Sequence, residues 1–361
     1  MQIIEDRRAL HRIPELDMDL PRTMEYLKNQ LAGLNCVLFS PIGSSLCAYF
    51  DYGQDHAIAF RADCDALPIE EQSQADYRSR HPGCMHACGH DGHMAMLLEL
   101  ARRLSAKEIL PHNVLLIFQP GEEGIGGAKP LCDTGIFETY RVKAIFGLHL
   151  WPGLEKGKVF CRPEELMAHA SELTIDIRGK SAHIAKSHEG LDATAAMMAI
   201  YARAAQVEAD FAHTYRLLKF GQLHSGTVRN AVSAHARMEG CLRAFRDEVF
   251  DTMVTRMQEI CREVAQETGC SVDIHLSEGC PAVMNPPELY RQVQAIHSLE
   301  ELAEPAMTAE DFGWYQRFVP GLFCFLGLGD TPALHSSNFD FDDSVLSRGA
   351  DFFEELAVNF I

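Results

Sequence analysis

Val114-Leu115-Leu116-Ile117-Phe118-Gln119-Pro120-Gly121-Glu122-Glu123 decides how the chain reads as a fold. Five consecutive apolar residues ending in a polar turn fit a strand buried on both faces, as parallel sheets require. Ala144-Ile145-Phe146-Gly147-Leu148 repeats the pattern and ends at His149. A shorter run, Ala57-Ile58-Ala59-Phe60, leads into Arg61-Ala62-Asp63-Cys64-Asp65. Between these strands, Asp91 to Leu104 places Leu97, Leu100, Ala101 and Leu104 on one helical stripe. Such alternation predicts an α/β fold, a mixed sheet flanked by helices.

The pattern changes near residue 170. Glu172-Leu173-Thr174-Ile175-Asp176-Ile177 and Arg237-Met238-Glu239-Gly240-Cys241-Leu242-Arg243 alternate polar and apolar residues, as half-exposed antiparallel strands do. Two helices are expected with them, Asp192 to Ala209 and Glu248 to Gln266, the second with Gly269 as its C-cap. A small α+β domain of about 100 residues results, a size typical of an independent unit. After Gly279 the α/β character returns, with Leu322-Phe323-Cys324-Phe325-Leu326-Gly327 as a buried strand and Ser344 to Phe360 as a closing helix. The expected organisation is a catalytic domain over 1–169 and 270–361, interrupted by an inserted lid or dimerisation domain over 170–269.

Composition narrows the function. A chain of 361 residues with 47% hydrophobic and 23% charged residues is an ordinary globular protein large enough for two domains. A net charge of −19 argues against nucleic-acid binding, which needs a basic face. No uninterrupted apolar run is long enough for a membrane span. Met1-Gln2-Ile3-Ile4-Glu5-Asp6-Arg7-Arg8 has acidic residues and no apolar core, so a signal peptide is not expected and a cytoplasmic location is. The 12 cysteines are scattered, which fits reduced thiols, most of them buried as small apolar side chains.

Four places carry residues suited to hydrolysis by a pair of metal ions. Met85-His86-Ala87-Cys88-Gly89-His90-Asp91-Gly92-His93 offers a thiol and an imidazole two residues apart in a Gly-flanked turn before a helix. Such a turn can equally hold surface histidines and a core cysteine, and spacing alone does not choose. Glu122-Glu123 sets two carboxylates side by side after a buried strand, where like charges repel unless a cation offsets them. A solvated loop is the plain alternative, although ligands of open α/β sheets gather at the carboxyl ends of strands. His149 and His335 each follow a buried strand, a position more often structural than ligating.

Together these segments resemble the M20 family of metallopeptidases and amidohydrolases, in its aminoacylase-like branch. The likeness runs along nearly the whole chain. It includes Arg8-Ala9-Leu10-His11-Arg12-Ile13-Pro14-Glu15-Leu16, Arg61-Ala62-Asp63-Cys64-Asp65-Ala66-Leu67-Pro68, Met85 to Asp91 and Gln119 to Gly124. Further along it includes Gly147-Leu148-His149, Gly179-Lys180-Ser181-Ala182-His183, Glu310-Asp311-Phe312 and Leu334-His335.

The resemblance implies two divalent ions (Zn, Mn, Co or Ni) held by Cys88, His90, Glu123, His149 and His335. It implies that Glu122 is the general base and then the acid, the ions making water acidic and polarising the amide carbonyl. His183 matches a histidine that reaches a neighbouring subunit's site and stabilises the oxyanion, which implies a homodimer through the inserted domain. Asn230 and Arg243 match residues that hold the substrate carboxylate. Asp63 and Asp65 match acidic residues that orient the ligands. His86, His93 and His188 could contact substrate or serve the fold, His93 reading best as structural.

Within the branch the chain is most similar to N-acetyldiaminopimelate deacetylases, through Ser171 to Lys180, Ile117 to Pro120 and Met307 to Gly313. The reaction implied is N-acetyl-LL-2,6-diaminopimelate plus water giving LL-2,6-diaminopimelate and acetate. The sequence departs from that pattern at Gly121, at Ser187 and at Ala231-Val232-Ser233. Hippurate, auxin conjugates and N-acetylcysteine are the rival substrates. A non-catalytic binding relative is the rival of another class, and it would need a missing ligand or base.

Overall fold

The computed structural model describes residues 2–124 and 126–361. The chain forms two compact units, Met1–Leu166 with Met284–Pro305 and Asp311–Ile361, and Met167–Val283 with Ala306–Glu310.

The larger unit is built on an eight-stranded mixed sheet. From one edge the order is Val37–Phe39, Leu46–Phe50, Asn113–Gln119, Ala57–Asp63, Val142–Trp151, Gly321–Gly327, Val159–Cys161 and Glu300–Glu301. Asn113–Gln119, Ala57–Asp63, Val142–Trp151 and Gly321–Gly327 lie parallel to one another at its centre. Every residue of Asn113–Gln119 is buried, which the unbroken apolar run anticipates. Phe118, Phe146 and Phe325 are buried to 1% exposure or less, each worth about 1.5–3 kcal/mol relative to an exposed side chain. Pairing of Asp63 with Gln119 puts the carboxyl ends of these two strands level.

Two expectations for this sheet need adjusting. His149 does not end its strand, because Leu150 and Trp151 go on pairing with Leu326 and Gly327. The closing helix starts at Leu346, preceded by a single 3-10 turn at Asp343–Val345.

Helix His90–Ser105 is buried on nearly every face over its first nine residues, a wider contact than the expected stripe. Glycines permit that approach. A Cβ on Gly92 would come within 2.6 Å of Leu150 Cδ1. Gly89, at φ 86°, turns the chain into the helix in a conformation that favours glycine. The N-terminal helix Gln2–His11 packs beside it and sends Arg7 into the interior. Arg7 is fully buried and donates to Asp91 at 2.9 Å, Asp340 at 2.9 Å and Asp343 at 3.1 Å, with Tyr77 and Phe341 rings against its guanidinium. His11 joins the same cluster, its Nδ1 2.7 Å from Asp91 and its Nε2 3.3 Å from Glu71. A buried guanidinium is tolerable only with such a complete set of partners.

The smaller unit is a four-stranded antiparallel sheet ordered Ser271–Leu276, His169–Arg178, His235–Ala244 and Arg216–Ser225. Helices Ala193–Asp210 and Asp247–Thr268 cover it around a core of its own. Asp192 caps the first, its side chain accepting the Thr194 and Ala195 N–H groups. Gly269, at φ 72°, ends the second.

The expected end of the inserted domain at 269 falls short. Ser271–Leu276 pairs antiparallel with His169–Arg178, so the unit continues to Val283.

Candidate metal centre

The centre lies in the larger unit, where segments far apart in sequence converge. Cys88 lies in the turn that Gly89 closes, and His90 is the first residue of the helix that follows. Glu122 and Glu123 lie in the turn after Asn113–Gln119, His149 lies on the strand Val142–Trp151, and His335 lies in the loop after Gly321–Gly327.

Their donor atoms form overlapping triads, each with mutual distances under 4.8 Å: Cys88 with His90 and His149, Cys88 with Glu123 and His335, and His90 with Glu122 and Glu123. Cys88 Sγ is 3.4 Å from His149 Nε2, and His335 Nε2 is 3.4 Å from Glu123 Oε1. All five expected ligands and the expected base are therefore together, with Cys88, His90 and Glu123 each shared between two groups.

The supporting contacts fix which atoms face the centre. His90 Nδ1 donates to the Asp65 carbonyl at 2.8 Å, and His149 Nδ1 donates to the Leu150 carbonyl at 2.7 Å. A carbonyl can only accept, so each ring carries its proton on Nδ1 and presents a lone pair at Nε2. Asp65 also accepts the main-chain N–H of Glu122 at 2.9 Å and of Glu123 at 3.0 Å, one on each carboxylate oxygen. The two-carboxylate turn thus hangs from one buried aspartate.

Gly121, which starts that turn, has φ 71°, and a Cβ there would meet Met18 Sδ at 2.8 Å. Glycine at this departure from the family pattern suits the local backbone. His335 also has a positive φ, 63°, and its N–H donates to the Ala87 carbonyl at 2.8 Å, tying its loop to the Cys88 turn. A non-glycine residue held in that region stores strain, which clusters at functional sites.

The residues fit a metal on two grounds. First, His90 Nε2 is buried without a hydrogen-bond partner among the described residues, and Glu123 Oε1, also buried, meets only the His335 ring at 3.4 Å and the His90 ring at 3.8 Å. Such atoms are costly unless something else satisfies them. Second, the electrostatics ask for positive charge. Burial, together with Glu123, Glu122 and Asp63, pushes the Cys88 thiol well above its ordinary range. Burial pulls the His90 ring down, but Asp63, Glu123 and Asp65 outweigh it and lift its pKa to about 8, a proton standing where a cation would. Burial raises Asp65 to about 6.

The neighbouring histidines separate cleanly. His93 Nδ1 lies 2.6 Å from Asp63 Oδ1, and its Nε2 accepts the Leu150 N–H at 3.0 Å. Both nitrogens are committed to protein partners, and Asp63, His90 and His93 bring their donor atoms within 4.8 Å of one another. His86 is buried, neither ring nitrogen has a partner among the described residues, and burial lowers its pKa to about 3.

His183, Asn230 and Arg243 belong to the smaller unit. His183 is exposed, and its Nδ1 accepts the Ala185 N–H at 3.2 Å. Asn230 is exposed and its carbonyl accepts the Ile184 N–H at 3.0 Å. Arg243 is half-buried and donates to the Met307 carbonyl at 2.5 Å. His188 and Lys186 are exposed in the same segment as His183.

Sequence reasoning gave no role to Arg61, Gln119 or Asp311, all fully buried around Asp63. Their signal was available: a charge inside an apolar strand, as Arg61 is after Ala57-Ile58-Ala59-Phe60, needs a buried partner.

Comparison with known proteins adds the following. A profile described as peptidase family M20/M25/M40 matches residues 59–359. An uncharacterized hydrolase of Staphylococcus haemolyticus is 34% identical over 99% of this chain and 98% of its own length. A dinuclear metal-binding peptidase of the M20 family from Bacillus subtilis superposes with a TM-score of 0.86 and 28% identity, over 99% of this chain and 96% of that one. A structure from methicillin-resistant Staphylococcus aureus, described as a candidate aminohydrolase, gives a TM-score of 0.93 and 25% identity over 98% and 95%.

Proposed function

The chain belongs to the peptidase family M20/M25/M40 and is a hydrolase, and on that premise we propose that it cleaves the amide bond of an N-acyl amino acid. The observation that carries the reading is His90 Nε2, buried without a hydrogen-bond partner among the described residues and facing Glu123 Oε1 at 3.8 Å, inside the ring of thiol, imidazole and carboxylate groups.

Cys88, His90, Glu123, His149 and His335 would hold two divalent ions. When bound, these supply Lewis acidity, which makes a water molecule acidic and an amide carbonyl electrophilic. The donor set of thiolate, imidazole and carboxylate suits Zn, Co, Ni or Mn.

Glu122 takes the proton of the attacking water and returns a proton to the departing amine. Its position supports this. Its main-chain N–H is fixed on Asp65, and its side chain is half-buried next to His90 and Glu123 without being needed as a ligand. In a homodimer formed through the smaller unit, His183 serves the oxyanion of the partner subunit's substrate. Arg243 and Asn230 receive the substrate carboxylate, the guanidinium offering a bidentate face beyond the N–H it spends on Met307.

The substrate proposed is N-acetyl-LL-2,6-diaminopimelate, released as the free diamino acid and acetate. Metal-loaded protein assayed on this compound, hippurate, an indole-acetyl amino acid and N-acetylcysteine tests the assignment. The highest kcat/KM is expected on the diaminopimelate derivative, and a higher value on any of the others reassigns the substrate. No turnover on the whole panel would remove the amidohydrolase reading.

A further inference from the structure

We propose that Asp311 and Arg61 are positioning residues that set the metal centre from behind, through a buried chain running Asp311–Arg61–Asp63–His93–Leu150–His149. The inference rests on the metal-centre reading above and adds residues to which neither the sequence nor the proposed chemistry gives a role.

The chain is continuous and each link is short. Asp311 Oδ1 accepts Arg61 Nη2 at 2.7 Å, and Arg61 Nη1 donates to Asp63 Oδ2 at 2.8 Å. The other oxygen of Asp63 takes His93 Nδ1–H at 2.6 Å. With its proton on Nδ1, His93 accepts the Leu150 N–H at Nε2, and the Leu150 carbonyl in turn takes the proton of His149 Nδ1. The end of the chain therefore determines which nitrogen of His149 is left as a lone pair beside Cys88. Asp63 Oδ2 also lies 3.7 Å from His90 Nε2, near the second imidazole but beyond hydrogen-bond reach.

The far end is anchored on both sides. Asp311 Oδ2 accepts Gln119 Nε2 at 2.7 Å and the Ala128 N–H at 3.0 Å. Gln119 Oε1 accepts Arg61 Nε at 2.8 Å and the Tyr315 hydroxyl at 2.8 Å. Asp311 and Gln119 are at 0% exposure, Asp63 at 1% and Arg61 at 3%. With the guanidinium fixed by Gln119 and Asp311, Asp63 has one oxygen pinned and can aim only the other at His93.

A stabilising role alone explains this poorly. Buried ion pairs recover little more than their desolvation cost, and well-packed apolar residues often replace them without loss. What the network does supply is direction, since metal-ligating histidines depend on outer partners for tautomer and ring orientation.

The test uses the full-length protein reconstituted with Co2+, comparing wild type with Asp311→Asn and His93→Asn. Asparagine at 93 can still donate to Asp63 through its NH2, but its shorter side chain puts no acceptor where His93 Nε2 meets the Leu150 N–H, so it cuts the chain at one link with little change in charge. Chelator competition and the visible spectrum are read well below each variant's unfolding temperature. Both variants are expected to release one of the two ions 10- to 100-fold more readily, with shared changes in the ligand-field and thiolate-to-cobalt bands. Wild-type affinity and spectrum in His93→Asn, or in a folded Asp311→Asn that has merely lost thermal stability, would overturn the proposal. A wild-type protein that binds no pair of ions would instead overturn the metal-centre reading.

Discussion

Asp65→Asn is the most informative single change to the turn that carries Glu122 and Glu123. The carboxylate of Asp65 accepts one main-chain N–H from each glutamate, at 2.9 and 3.0 Å, and is 1% exposed. Asparagine keeps one acceptor oxygen and puts an NH2 group opposite the other N–H, so one donor loses its partner. A hydrogen bond to a charged group contributes about 1.5–3 kcal/mol, and the stranded N–H falls within the same range as a desolvation cost. The Asp65 carbonyl still receives His90 Nδ1, so the helix entrance stays in place. The cost therefore falls on the glutamate turn.

If that turn must be held for chemistry, about 1.5–3 kcal/mol becomes a loss of roughly 10- to 150-fold in kcat/KM. Steady-state kinetics on the best substrate, with metal content and thermal unfolding measured in parallel, gives the answer. A folded, fully metallated Asp65→Asn with unchanged kcat/KM would refute the argument that the turn hangs from Asp65.

Glu122→Gln should keep its metal and lose about 10²–10⁴-fold in turnover, because an amide cannot carry the proton; retained activity removes Glu122 as the base. His183→Ala should lose roughly 10²–10³-fold in kcat at unchanged metal content, as the removal of one oxyanion donor does, and full activity would discard its role in a partner's site. Stability should fall in acid. Burial raises Glu71, but hydrogen bonds from His11, Ser73 and the Ser79 N–H outweigh it and hold its pKa at about 2, against an ordinary 4.5. A depressed carboxylate pKa stabilises the fold above its unfolded value, and that contribution disappears as pH drops from about 4.5 to about 2. Glu71→Gln should flatten that part of a plot of unfolding temperature against pH, and an unaltered slope would show that the His11 cluster does not contribute.

The sheet was legible because its central strands are buried on both faces, and an unbroken run such as Val114 to Phe118 has few other readings. The candidate ligands were legible only as an ordered set. Cys88, His90, Glu123, His149 and His335 come from separate strands and loops, and no spacing rule joins residue 90 to residue 335. The limit of the smaller unit was missed although Ser271-Val272-Asp273-Ile274-His275-Leu276 alternates polar and apolar residues, because a six-residue strand after a helix C-cap does not announce which sheet it joins. The supporting chain behind the centre was harder still. Arg61 and Asp311 look like isolated charges in sequence, and their link depends on a contact between residues 250 apart.

The burial of Arg7 has a consequence for how the protein is made. Its partners Asp340 and Asp343 lie 333 and 336 residues further along the chain. At about 5–20 residues per second, a ribosome takes roughly 17–67 s to cover that span. Asp91 follows Arg7 by 84 residues, and from then until the end of that interval the first helix has Asp91 but not the rest of its partners, while Ile3 and Leu10, buried in the finished unit, have an incomplete core to join. The continuous stretch Met167–Val283 has no such debt to the end of the chain, and its own core can close while the remainder is still being synthesised. The nascent chain should therefore become protease-resistant in its middle before its beginning.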